Sequence, residues 1–133
     1  NLLAGTIDIS ASILARSGLA PYHGIQGYDV ISAAINGIQL PRLGMIVEED
    51  EIPFNANCGH FLRTRTFVTE RWRMTYWMEH EFGELYDHHN DPLEIVNLWN
   101  DPTRMSDKTH LLEMMMRERT ALDDMAPKAL YCA

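Results

Sequence analysis

The chain has 133 residues, 46% of them apolar, an ordinary share for a folded chain and enough to build one domain's core. A balance of 11 basic against 19 acidic residues leaves a net charge of −8, which argues against nucleic acid or an anionic membrane surface as a partner and fits a solvated acidic surface. No apolar run is long enough to cross a bilayer, and two cysteines, Cys58 and Cys132, cannot make a disulfide framework.

The opening Asn1-Leu2-Leu3-Ala4-Gly5 has neither a basic n-region nor a long apolar core, so it does not read as a signal peptide; it reads like a cut through a longer protein. Ile9 to Gly18 predicts a helix with Asp8 as N-cap, Ile9, Ile13 and Leu14 on one face, and Gly18 as the stop. Pro21 to Gly27 holds a proline and two glycines and reads as a loop. Val30, Ile31, Ala34 and Ile35 predict a second short helix closed by Asn36-Gly37.

From Ile38 the pattern turns strand-like. Met45 to Glu48 reads as a strand ending in the acidic run Glu48-Glu49-Asp50-Glu51, and Pro53 to Gly59 as a loop. Phe61 to Thr69 alternates, with Leu62, Thr64, Thr66 and Val68 on one face and Phe61, Arg63, Arg65 and Phe67 on the other. After a tight reversal at Thr69-Glu70-Arg71-Trp72, the segment Trp72 to Met78 alternates again, and Glu84-Leu85-Tyr86 supplies a fourth strand. Such short connections predict antiparallel pairing. Asp91-Pro92-Leu93-Glu94 predicts a one-turn helix, with Asp91 as N-cap, Pro92 at the first helical position and Glu94 completing a capping box. The longest helix falls within Pro102 to Met125, with Leu111, Met114, Met115, Leu122 and Met125 in one apolar stripe. At most two of Met114, Met115 and Met116 share a helical face, so the run reads as core packing and not as a metal or cofactor site.

Several of these segments carry a resemblance. Residues 83–98, Gly-Glu-Leu-Tyr-Asp-His-His-Asn-Asp-Pro-Leu-Glu-Ile-Val-Asn-Leu, resemble the Gly-Glu-Leu-Tyr-Asp-Leu-x-x-Asp-Pro-x-Glu-x-x-Asn-Leu signature near the C-terminal end of type I sulfatases, sulfate-ester hydrolases of the alkaline-phosphatase-like superfamily. Residues 8–18 are similar to Asp-x-x-Pro-Thr-Leu-Leu-x-x-x-Gly, with Ala11 in the proline's place, and Gly24 to Gly27 to Gly-x-Gln-Gly. Tyr28-Asp29-Val30 replaces the usual Arg-Ser-Leu. The second and third strands resemble Arg-x-x-x-Thr-x-x-x-Arg-Trp-Lys, with Arg73 in the lysine's place. The resemblance covers roughly residues 6–115 and implies an α+β fold: a small antiparallel sheet of about four strands packed on a long C-terminal helix. In that scheme residues 1–37 are the tail of a catalytic α/β domain and residues 38–133 a C-terminal α+β subdomain. The catalytic domain of the same protein is then the expected partner, and helices cut from it expose apolar surface or bury it in a homo-oligomer.

The same resemblance implies a formylglycine made within Cys/Ser-x-Pro-x-Arg and a divalent cation, calcium or magnesium, in the full-length parent, the metal acting as Lewis acid and template. Neither Cys58, followed by Gly59-His60-Phe61, nor Cys132, nor any serine fits that motif, so the chain alone is expected to be inert. Asp87-His88-His89-Asn90-Asp91 groups metal-ligand types, but His88 and His89 stand where the family has other residues, and the run reads as a solvated turn. His60, Arg63 and Arg65 are candidates for the rim of the substrate pocket, where they would face an anionic substrate; otherwise the arginines pair with nearby acidic residues. A Cys58–His60 nucleophile pair lacks a third, orienting group. Two further readings stand beside the sulfatase one: a phosphonate or phosphate monoester hydrolase sharing this tail, and a free-standing interaction module with the same fold.

Overall fold

The computed structural model describes residues 2–22, 24–51, 62–78 and 80–122. They form two units, Arg42–Arg119 and Leu2–Pro41, the second joined by the chain from Thr120.

In Arg42–Arg119 four strands pair antiparallel in sequence order: β1 (Met45–Glu51), β2 (Leu62–Val68), β3 (Trp72–Trp77) and β4 (Gly83–Asp87). The connections from β2 to β3 and from β3 to β4 are three and five residues long, short enough to require antiparallel neighbours. The register aligns one row across the sheet: Ile46 faces Phe67, Phe67 faces Met74, and Met74 faces Leu85. With a side-chain period of two, this row and Trp72 lie on one face. There Phe67, Trp72, Met74 and Leu85 form the core with Trp99 and with Leu111 of α3 (Met105–Ala121); Ile46, Leu98, Met114 and Met115 pack at its margin. Met116 is exposed, so the methionine run divides as helical geometry demands. A 3-10 turn, Pro102–Arg104, precedes α3, with Asp101 capping Thr103 N–H at 2.8 Å. The α+β architecture expected from the sequence is therefore present.

Two glycines are sites of close approach. A side-chain carbon on Gly83 would lie 2.4 Å from the Trp99 indole, and one on Gly44 would lie 2.5 Å from the Phe67 ring. The leading glycine of the Gly-Glu-Leu-Tyr-Asp run thus makes room for the tryptophan that closes the core.

Two expectations for this unit change. β1 runs past Glu48 to Glu51, so the whole acidic run forms its last four residues, where Glu48 and Asp50 stand opposite Arg65 and Arg63. Asp91 to Glu94 is a turn and not a helix: Glu94 N–H reaches Asp91 C=O at 3.1 Å, while the Asp91 carboxylate accepts from Val96 N–H at 2.8 Å. Glu94 adopts φ 56°, a left-handed conformation that interrupts a helix and costs a non-glycine residue about 1–3 kcal/mol. The longest helix, Met105–Ala121, falls within Pro102 to Met125 as expected, while Met125, Phe61 and the predicted loop from Pro53 to Gly59 lie outside the described residues.

In Leu2–Pro41, helix α1 (Ile7–Arg16) packs on α2 (Val30–Asn36). Gly18, at φ 69°, ends α1: Leu19 N–H bonds Leu14 C=O at 2.9 Å and Gly18 N–H bonds Ala15 C=O at 3.1 Å. Asp29 caps α2 by accepting from Ser32 N–H at 3.1 Å, and Gly37 closes it at φ 64°. Asp8 is not the N-cap of α1, since that position belongs to Thr6. Asp8 is instead fully buried inside the first turn, where its carboxylate accepts from Gly5 N–H at 2.8 Å and Tyr28 N–H at 2.9 Å.

Candidate functional site

Three clusters of charged residues in Arg42–Arg119 are each internally satisfied. On β1 and β2, Arg65 makes two bonds to Asp50, at 2.9 and 3.2 Å, and one to Glu48 at 3.1 Å; Arg63 reaches Asp50 at 3.1 Å. Hydrogen bonds from Arg65 first, then Arg63, hold the Asp50 carboxyl below its ordinary range. Both rim candidates within the described residues thus form cross-strand ion pairs; His60 and Cys58 lie outside those residues.

At the end of β4, Asp87 is buried at 1% exposure and all its lone pairs are engaged. Arg71 donates to both oxygens, at 2.9 and 2.7 Å, while Asn90 Nδ2 donates at 2.8 Å and His89 N–H at 3.2 Å. The Arg71 guanidinium holds this carboxyl far below the carboxylate range despite burial.

On the opposite sheet face, Glu94 receives a bidentate Arg73 with both contacts at 2.7 Å, and His88 Nε2 lies 2.7 Å from the same carboxylate. Arg73 also lies 3.3 Å from Glu84 and over the Tyr86 ring at 5.0 Å. Arg73, then His88, lower the Glu94 carboxyl's affinity for protons. The turn of residues 91–94 is thus a clamp: its strained backbone delivers one carboxylate to an arginine on β3.

A metal ion requires carboxylate or imidazole lone pairs that remain available. Here Asp87 is closed by Arg71 and Asn90, and Glu94 by Arg73 and His88. Among the described residues no group of three or more His, Cys, Asp or Glu side chains is placed to hold a metal, so these residues do not fit the implied cation.

Asn97 is the residue that sequence reasoning passed over. Its Oδ1 accepts from Leu85 N–H at 3.1 Å and Trp99 N–H at 3.0 Å, and its Nδ2 donates to Gly83 C=O at 3.0 Å. The side chain does for β4 what a fifth strand would do. Its place in the quoted signature was the signal available.

A four-stranded antiparallel sheet backed by a long helix, with a helix pair ahead of it in the chain, is a fold found within sulfatases and phosphonate monoester hydrolases. The chain is 18% identical, over 93% of its length, to a protein solved in complex with its substrate D-glucosamine-2-N,6-O-disulfate, at a TM-score of 0.74. It matches the phosphonate monoester hydrolase of Agrobacterium radiobacter over 93% of its length, at 19% identity and TM-score 0.70. A 2-O GAG sulfatase matches over 95%, at 19% identity and TM-score 0.67. The match spans 25%, 27% and 27% of those three chains, so this chain corresponds to about a quarter of each. The resemblance read from residues 83–98 is thereby met at the level of fold. No family model matches the chain, and no curated protein does.

Proposed function

We infer that this chain is the C-terminal region of a sulfatase-like hydrolase, a part that braces the catalytic domain and performs no chemistry alone. The fold match carries the inference: nine-tenths of this chain aligns with a quarter of each solved enzyme. In this reading residues 1–37 are the end of the catalytic α/β domain and residues 38–133 its C-terminal subdomain. The nucleophile and the divalent cation belong to the remaining three-quarters of the fold. The carboxylates described here support that division, because they neutralise arginines and hold the sheet's turns. If the sheet stands at the mouth of the pocket, Arg63, Arg65 and His60 would form its rim.

Phosphonate monoester hydrolysis is the second reading, favoured by the match to the Agrobacterium radiobacter enzyme at nearly the same TM-score. Two measurements test the inference. The reading frame ahead of Asn1 is expected to encode Cys/Ser-x-Pro-x-Arg, and the 133-residue chain is expected to leave 4-nitrophenyl sulfate and phenyl phosphonate esters intact. Turnover by this chain alone would sink the supporting role. A frame without the motif would favour a free-standing interaction module.

A further inference from the structure

We propose that the turn after β4 is the contact through which two copies of this chain associate, with Leu93, Ile95 and Val96 at its centre. This contact goes beyond the reading above and does not depend on it, since a free-standing module would present the same turn.

The turn divides its residues by task. Asp91 accepts from Val96 N–H at 2.8 Å, and Glu94 is held by Arg73 and His88. Asn97 bonds Gly83, Leu85 and Trp99, while Leu98 packs at the margin of the core. These four residues stand at specified positions of Asp-Pro-x-Glu-x-x-Asn-Leu, and each has a task inside the fold. The unspecified positions of that run are 93, 95 and 96, and in this chain every one of them holds a large aliphatic residue. Leu93 is 78% exposed, Ile95 76% and Val96 57%, with Pro92 exposed beside them. Burial within the chain therefore does not explain these residue types. One exposed aliphatic side chain is ordinary, whereas three within four residues of one turn mark a surface that gains from being covered. The turn is also fixed in advance by its own hydrogen bonds and by the Glu94 clamp, so little ordering entropy opposes a contact there.

Charge and area point to a second copy as the occupant. Each chain carries −8, yet Asp91 and Glu94, the carboxylates within the turn, are spent on a backbone amide, Arg73 and His88. Two such turns can meet without burying an unpaired charge. An apolar patch of this kind is complementary to itself across a two-fold axis. Three aliphatic side chains and a proline offer a few hundred Å² per copy, against about 800 Å² per partner in a standard interface. With a polar rim the contact reaches the low end of specific interfaces, so a weak dimer is expected, with Kd on the order of 10–100 µM.

Sedimentation equilibrium of the 133-residue chain under reducing conditions tests this. The double variant Leu93→Gln/Ile95→Gln is expected to raise Kd by about tenfold or more, and Ile9→Gln/Ile35→Gln by less than about twofold. Raising sodium chloride from about 0.05 to about 0.5 M should tighten the dimer several-fold, by screening the repulsion between two acidic chains. A second measurement needs no loss of binding. With Cys58 and Cys132 changed to serine, Ile95→Cys should form a disulfide-linked dimer on oxidation about tenfold faster than Met116→Cys, whose position is similarly exposed at 67%. A chain that stays monomeric to about 1 mM would overturn the proposal. So would association lost with Ile9→Gln/Ile35→Gln and kept with the turn variant, or equal cross-linking at positions 95 and 116. In the longer product of the reading frame, protection of residues 91–98 from amide exchange that does not change with concentration would give the turn to another domain and overturn it as well.

Discussion

The two units of this chain solve the same folding problem in opposite ways. Arg42–Arg119 buries Phe67, Met74, Leu85, Trp72 and Trp99 between a sheet and a helix and places its charges in pairs around that core. Leu2–Pro41 buries a carboxylate, a hydroxyl and two alanines, and leaves the isoleucines of its two helices exposed. The first arrangement draws its stability from apolar surface removed from water. The second draws on hydrogen bonds to backbone amides, a smaller net contribution per interaction. A unit of the second kind gains most of its burial from what it packs against.

The contrast can be broken most forcefully at Phe67. Truncation to alanine, Phe67→Ala, is expected to cost about 3–5 kcal/mol by loss of transfer energy and creation of a cavity. Urea unfolding followed by near-ultraviolet circular dichroism measures it, and a loss under about 1 kcal/mol would show that the sheet–helix core is not the main source of stability.

Next comes the buried ion pair. Asp87→Asn keeps the shape but removes the charge that Arg71, Asn90 and His89 address, and about 1.5–3 kcal/mol should go with it. The pH dependence has a definite sign. Asp87 and Glu94 both have folded-state ionisations held below the ordinary range, so the stability they contribute is complete above the unfolded values and is lost as pH falls through the folded ones. Stability should therefore decline below about pH 4, and Asp87→Asn should flatten that decline. An unchanged acid limb in the variant would remove Asp87 as its cause.

Asp8→Ala should act elsewhere and somewhat less, at about 1–3 kcal/mol, by orphaning the amides of Gly5 and Tyr28. Hydrogen exchange should speed up in α1 and α2 and remain unchanged in β2 and β3. Acceleration in the strands would show that the two units do not differ as described. The smallest effect is expected at Ile13→Lys, within about 0.5 kcal/mol for the isolated chain, because an exposed side chain is being exchanged for another. A loss several times larger would mean that the isoleucine already packs on something within this chain.

Local chemistry was legible in the sequence where it acts locally. The strand beginning at Trp72 and the Gly37 stop each depend on neighbours within a few residues, and each is present. Pairing of Arg63 and Arg65 with acidic neighbours was one of the two readings offered, and the β1–β2 register places Asp50 and Glu48 opposite them. What escaped depends on distant partners. Asp8 has the residue type and place of a cap, but its second partner, Tyr28, lies twenty positions away and draws it inside. Glu94 fits a capping box by spacing, yet Arg73, on a strand twenty-one positions earlier, takes its carboxylate. Asn97 stands out in the sequence only by its place in the signature, and its task appears when β4 and Trp99 surround it.

That asparagine has a consequence for assembly. Along the outer margin of β4 the amide of Leu85 and the carbonyls of Gly83, Leu85 and Asp87 are all engaged by the chain's own atoms. No foreign strand can zip onto that margin without first evicting Asn97 and Leu98. Among the described residues β1 is the sheet's other border, where Glu48, Glu49 and Asp50 set charge against the addition of a further strand.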